Sequence, residues 1–206
     1  MINVPSKSFV EEFDVVDLVV QSGLVTGGVD AFALSLIKAE RQMRRIFTHL
    51  VFQSSAFSAG DVPALREALG ASKRSYFEGF SRGIDALFDT TVRTLVGEEH
   101  DYLAKQLADA IDARNKIFHG QLTGRCLERA DLLQYVADIR TWCGNLSSAA
   151  HEEIGYDGFE RNSFRKSGRT IAERLRINLS DLDAYKQLIR QYIERPTGGK
   201  RWAPPG

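Results

Sequence analysis

The chain has 206 residues, with 27 basic and 27 acidic side chains and no net formal charge, which excludes a basic surface spread over the whole molecule but not a local patch. Its composition, 43% hydrophobic and 26% charged, is ordinary for a globular protein, and its length suits one domain or one domain with an appendage. Only Cys126 and Cys143 occur, too few for a disulfide framework or a zinc site, so a reducing, cytoplasmic setting is expected.

In chain order, residues 1–28 form an N-terminal segment. "MINVPSKSFVEEFD" lacks the basic-then-apolar pattern of a secretory signal, and "DVVDLVV" reads equally as a strand or as part of a helix. Residues 30–57 read as a long amphipathic helix, because Phe32, Leu36, Ala39, Met43, Ile46 and Leu50 recur at steps of three and four. Glu40 and Arg44 are spaced to pair beside that stripe. "SAGDVPALREALG" predicts a short helix with Asp61 as cap, Pro63 early and Gly70 closing it.

Residues 73–96 predict a second long helix with Phe77, Phe80, Ile84, Leu87, Thr91 and Leu95 on one side, while Gly79 and Gly83 suit a close approach by another element. Residues 99–119 predict a third, and residues 126–150 a fourth with Leu132, Val136, Ile139, Cys143 and Leu146 as its stripe. A last helix opens at "SDLD", where Ser180 and Asp183 resemble an acidic capping box, and stops before Pro196. No apolar run reaches membrane-spanning length, so no membrane association is expected. The expected fold is all-α: a helical bundle over residues 29–155, a basic segment and C-terminal helix over 156–195, and a flexible tail over 196–206.

The third helix breaks its own pattern. Stepping about 100° per residue from Leu103, Leu107, Ala110, Ile117 and Phe118 fall within about 60° of it, and so does Arg114, at about 20°. A guanidinium inside an apolar stripe must be paired or line a cleft. Gly120 then marks the end of the helix and leaves His119 in the last turn or at the first non-helical position, where a break before it would let the chain redirect the side chain.

Arg114-Asn115-Lys116-Ile117-Phe118-His119 resembles the signature of the HEPN superfamily: an arginine, commonly followed by a polar residue, and a histidine after four to six intervening residues. The bare spacing occurs three times here, at Arg44 to His49, Arg93 to His100, and Arg114 to His119. Arg44 and His49 sit in an uninterrupted helix about 140° apart. The stretch from Arg93 to His100 crosses Gly97 and has threonine after the arginine. Only the third combines the asparagine, the inward-facing arginine and the stop at His-Gly.

The resemblance implies a metal-independent endoribonuclease in which the substrate's 2′-hydroxyl attacks phosphorus, leaving a 2′,3′-cyclic phosphate and a 5′-hydroxyl. Its carried-over catalytic residues are Arg114 to hold phosphate oxygens, His119 to move protons, and Asn115 to orient the histidine or contact phosphate. Lys116 is a further candidate for phosphate contact. The resemblance also implies a homodimer with a composite site, a toxin or antiviral role, and an antitoxin or other regulatory partner. No metal or cofactor is expected. A second reading of the same residues stays open: an arginine that bonds a neighbouring carboxylate, in a non-catalytic helical module that binds RNA, a nucleotide or a protein.

Between 161 and 176, "RNSFRKSGRTIAERLR" carries Arg161, Arg165, Lys166, Arg169, Arg174 and Arg176 against Glu173 alone. With Phe164 as a stacking platform this run suits RNA, and Arg161, Arg165, Lys166 and Arg169 are the candidate contacts. A solvated basic loop is the competing reading. His49, His100 and His151 lack metal-ligand spacing and read as surface or helix-flank residues.

Overall fold

The long stripe from Phe32 to Leu50 produces α2 (Gly27–Gln53), the central helix of the molecule. The computed structural model describes residues 6–72, 76–121, 126–167 and 171–194. Against α2 packs α7 (Arg129–Ile154), parallel to it: Phe32 meets Tyr135 near one end, and Gln42 donates to the Cys143 carbonyl further along. Two helices flank this pair. α1 (Lys7–Gln21) turns the ambiguous "DVVDLVV" into helix and inserts Phe9, Phe13 and Val16 into the shared core. Its Ser6 cap accepts from the Phe9 N–H, and Arg140 of α7 grips Asp17 with both terminal nitrogens, at 2.5 and 2.8 Å.

α6 (His100–Phe118) is the other flank. Tyr102 donates to Asp138 and Asn145 donates to Glu99, so the start of α6 lies beside the middle of α7. Among the described residues there is no strand, only an isolated bridge between Phe88 and Leu175. No described helix is long and apolar enough to cross a membrane.

The predicted helix over 73–96 is two helices, α4 (Phe77–Leu87) and α5 (Val92–Val96). The stripe stays in phase through the break, so periodicity alone does not reveal it. The break is made by polar groups: Thr91 caps α5 by accepting from the Thr94 N–H, and Asp85 accepts from the Val92 N–H at 2.6 Å. Between Gln53 and α3 (Val62–Gly70), Asp61 caps a short 3₁₀ turn at Ser58 rather than α3 itself. The cap of α8 (Leu182–Leu188) is Asp181, accepting from the Ala184 N–H, not Ser180 with Asp183. The tail over 196–206 lies outside the described residues.

α8 continues into a π turn, Ile189–Ile193, that lies across α4 where the two glycines leave room. A Cβ on Gly79 would stand 2.2 Å from the Ile193 carbonyl oxygen, and one on Gly83 would stand 2.5 Å from the Ile193 Cδ1. Alanine in a helix normally gains roughly 1 kcal/mol over glycine. Here Gly79→Ala is expected to destabilise instead, by about 1–3 kcal/mol, because a backbone oxygen must move. Urea unfolding of the variant reads the sign directly.

Candidate functional site

α6 stops as its sequence requires. Gly120 takes φ 63°, its N–H bonds the Ile117 carbonyl, and the Gln121 N–H bonds the Lys116 carbonyl. This closes the helix in a Schellman arrangement. His119 is the residue before the reversal and keeps near-helical backbone angles, φ −93° and ψ 8°, with its N–H on the Asn115 carbonyl. The break therefore falls after the histidine, not before it. His119 stays about 140° around the helix from Arg114, so within one chain the two side chains point apart.

Arg114 is half-buried and donates to Glu40 of α2 at 2.9 Å; its Nε is buried with no hydrogen-bond partner. This ion pair explains the arginine in the apolar stripe. Glu40 thus turns to α6 rather than to Arg44, whose guanidinium instead lies over the Phe80 ring at 5.8 Å. Asn115 and His119 are exposed. No side-chain bond links them; Asn115 reaches His119 only through its backbone carbonyl. Lys116 is paired with Asp112 at 2.7 Å, one turn back. Two exposed apolar residues flank the ion pair: Ile37, 52% exposed, precedes Glu40, and Phe118, 63% exposed, follows Arg114.

The basic run after 160 divides. Lys166 donates to the Phe52 and Ser54 carbonyls, at 2.6 and 2.7 Å, and so caps the C-terminus of α2. Arg165 pairs with Glu160 at 2.5 Å and reaches the Gly155 carbonyl. Arg174 serves Asp89 and Glu153 over the Phe88 ring, and Arg176 donates to the Asp85 and Asp89 carbonyls. Their positive charge goes largely to holding the segment on the bundle. Arg161 is exposed and lines a cleft. Arg169 lies outside the described residues.

That cleft, about 410 Å³, is formed by the second half of α2, the end of α3 and the loop after α7. Among the described residues its walls carry Arg44, Arg45, Arg66 and Arg161 and no carboxylate. Of these, sequence reasoning singled out only Arg161 as an RNA contact, and Arg44 only as a partner for Glu40 and in a discounted motif spacing. The signal it passed over was three arginines within five positions, "RQMRR", whose outward members the apolar stripe left unexplained.

His49 is not a surface residue. It is fully buried, stacks on Tyr156 at 4.6 Å between ring centres and donates from Nδ1 to the Ser163 carbonyl. Burial drives its pKa down to about 4, with the backbone bond to Ser163 opposing and nearby Arg165 assisting. The unfolded chain binds a proton near pH 6.5 that the folded chain refuses until about pH 4. The stability that depends on neutral His49 is therefore complete above pH 6.5 and is lost as pH falls toward 4, by about 3 kcal/mol at most. A His49→Gln variant is expected to flatten the urea-midpoint profile across that window; an unchanged slope would contradict the assignment.

Among the described residues no group of three or more His, Cys, Asp or Glu side chains is placed to hold a metal ion. No family model matches the chain, and no curated protein or solved structure is recognisably similar to it.

Proposed function

We propose that the chain is a HEPN-type, metal-independent endoribonuclease of the cytoplasm, acting as a homodimer whose site combines Arg114 of one copy with His119 of the other. The observation that carries this reading is the last turn of α6: Asn115 and His119 exposed beside an arginine held by Glu40, with exposed Ile37 and Phe118 at its rim. Within one chain the guanidinium and the imidazole diverge, so a second copy is required to bring one to the other's substrate phosphate. Exposed apolar side chains around a polar centre suit such a self-complementary contact.

The chemistry needs no nucleophile from the protein. The ribose 2′-oxygen forms a bond to phosphorus as the bond to the 5′-oxygen breaks. His119 moves a proton to or from these oxygens, and Arg114 binds the non-bridging oxygens as their charge grows. Glu40 occupies one of the guanidinium donors and fixes its plane, which leaves other donors for phosphate. A toxin or antiviral role, with an antitoxin or regulatory partner, belongs to the same proposal through the resemblance alone.

The second reading is a non-catalytic helical module that binds RNA, a nucleotide or a protein partner. It is favoured by the Arg114–Glu40 pair, which is what an arginine with only a structural role would make. The test is incubation of end-labelled mixed RNAs with the intact protein in EDTA. The nuclease reading requires fragments ending in 2′,3′-cyclic phosphate; RNA binding without cleavage would support the second reading.

A further inference from the structure

The arginine cleft gathers four guanidinium groups with no ion pair to any of them among the described residues. Arg93, Arg114, Arg140, Arg165 and Arg174 each contact a carboxylate. In the cleft the guanidinium groups are held without being neutralised. Arg66 lies on the face of Phe164, 5.1 Å from the ring centre, and Arg44 lies over Phe80. Arg45 is tethered through one terminal nitrogen to the Phe159 carbonyl at 3.0 Å. Aromatic faces and a carbonyl orient these three side chains but cancel none of their formal charge. Arg161 completes the ring of charge from the loop. The Thr48 and Ser163 hydroxyls, hydrogen-bonded to each other at 3.1 Å, sit on the same wall.

Four like charges around one cavity repel one another, and walls of low dielectric concentrate their field. In a chain with no net charge this concentration is local. Guanidinium groups match phosphoryl oxygens in pairs of parallel hydrogen bonds, a geometry that single carboxylates satisfy less fully once several arginines converge. A volume of about 410 Å³ exceeds the needs of one phosphate and falls in the range of small-ligand sites, roughly 300–1,000 Å³.

We propose that this cleft is a binding site for a phosphorylated ligand carrying a terminal phosphate or diphosphate, seated among Arg44, Arg45, Arg66 and Arg161. The group could come from a free nucleotide or from the 5′-phosphorylated end of an RNA. The site is separate from Arg114 and His119, and its occupancy does not depend on the nuclease reading.

The experiment is calorimetric titration of the intact protein with inorganic pyrophosphate at fixed ionic strength. The variants are Arg66→Gln/Arg161→Gln, both exposed positions, and Lys105→Gln as a control that removes a charge from exposed α6 surface. The wild type and the control should bind pyrophosphate alike, and the double variant at least tenfold more weakly, with an unchanged melting temperature in the absence of ligand. ADP displacing pyrophosphate identifies a nucleotide source. A 5′-phosphorylated RNA that competes where its 5′-hydroxyl counterpart does not identifies an RNA end. Either supports the site. Equal affinity in the double variant, no pyrophosphate binding, or citrate binding as tightly as pyrophosphate would overturn it.

Discussion

His119→Ala is expected to lower RNA cleavage by about 10²–10⁴-fold, the usual contribution of a positioned proton-transfer group. The same substitution should leave stability nearly untouched. His119 is exposed, its contribution to the helix end is a backbone N–H, and the reversal that follows belongs to Gly120. Surface changes of this kind stay within about 0.5 kcal/mol. That separation of activity from folding makes it a cleaner test than Arg114→Ala, which strands half-buried Glu40 without its partner. An Arg114→Ala chain should lose activity and also some stability, so its activity is best compared with that of Arg114→Lys. Lysine keeps the charge beside Glu40 but cannot offer two parallel donors to a phosphate. The expected order of cleavage rates is wild type, then Arg114→Lys, then Arg114→Ala. The assay is single-turnover cleavage at saturating protein.

Asp157→Ala is expected to be strongly destabilising, by about 3–5 kcal/mol, because it leaves several buried donors without an acceptor. Asp157 is fully buried. One carboxylate oxygen accepts from the Phe159 and Glu160 N–H groups at 2.8 and 2.9 Å; the other accepts from the Ser6 and Ser8 hydroxyls. It thereby pins the N-terminus of α1 to the loop that leaves α7. Burial alone would raise its pKa, but the hydrogen bonds from the two serines and the two amides outweigh that and hold it below the ordinary 3.8. A carboxylate with a depressed folded pKa adds stability that is complete above its unfolded value and vanishes as pH falls through the folded one. Acid should therefore weaken the protein in two stages: His49 from pH 6.5 downward, then Asp157 below about 3.8. Chemical denaturation from pH 7 to 3 resolves both stages, and Asp157→Asn should reduce the second, to which Asp61, Asp89, Asp101 and Asp181 also contribute.

Much of this fold is visible in local pattern, and most of the pairing is not. α6 and its stop follow from the Leu103 stripe and Gly120, because helix period and left-handed backbone preference are properties of neighbours. The split between α4 and α5 escapes the same reasoning. Thr91 keeps its place in the stripe while its hydroxyl caps a new helix, so the apolar phase is unbroken where the backbone turns. The partner of Arg114 is 74 residues away at Glu40. The carbonyls that Lys166 caps lie more than a hundred residues before it, at Phe52 and Ser54. A basic run therefore looks uniform in sequence and divides only when folded: Arg165, Lys166, Arg174 and Arg176 bond the surface of the bundle, and Arg161 lines a cleft. The arginines that meet it there, Arg44, Arg45 and Arg66, come from two helices and carry no motif. His49 sits among the buried positions of α2, whose C-terminal half is enclosed nearly all round and so loses the polar face that amphipathic reasoning expects.

The central claim is that Arg114 and His119 act together only across two copies of the chain. Mixing Arg114→Ala protein with His119→Ala protein, each inactive alone, tests it most directly. In a mixed dimer one site lacks both groups and the other retains both. After subunit exchange, followed by native mass spectrometry, cleavage should return to roughly a quarter of the wild-type rate, since about half of the dimers are mixed and each holds one whole site. Mixed dimers that form and remain as inert as their parents, or a protein that stays monomeric while cleaving RNA, would contradict the account.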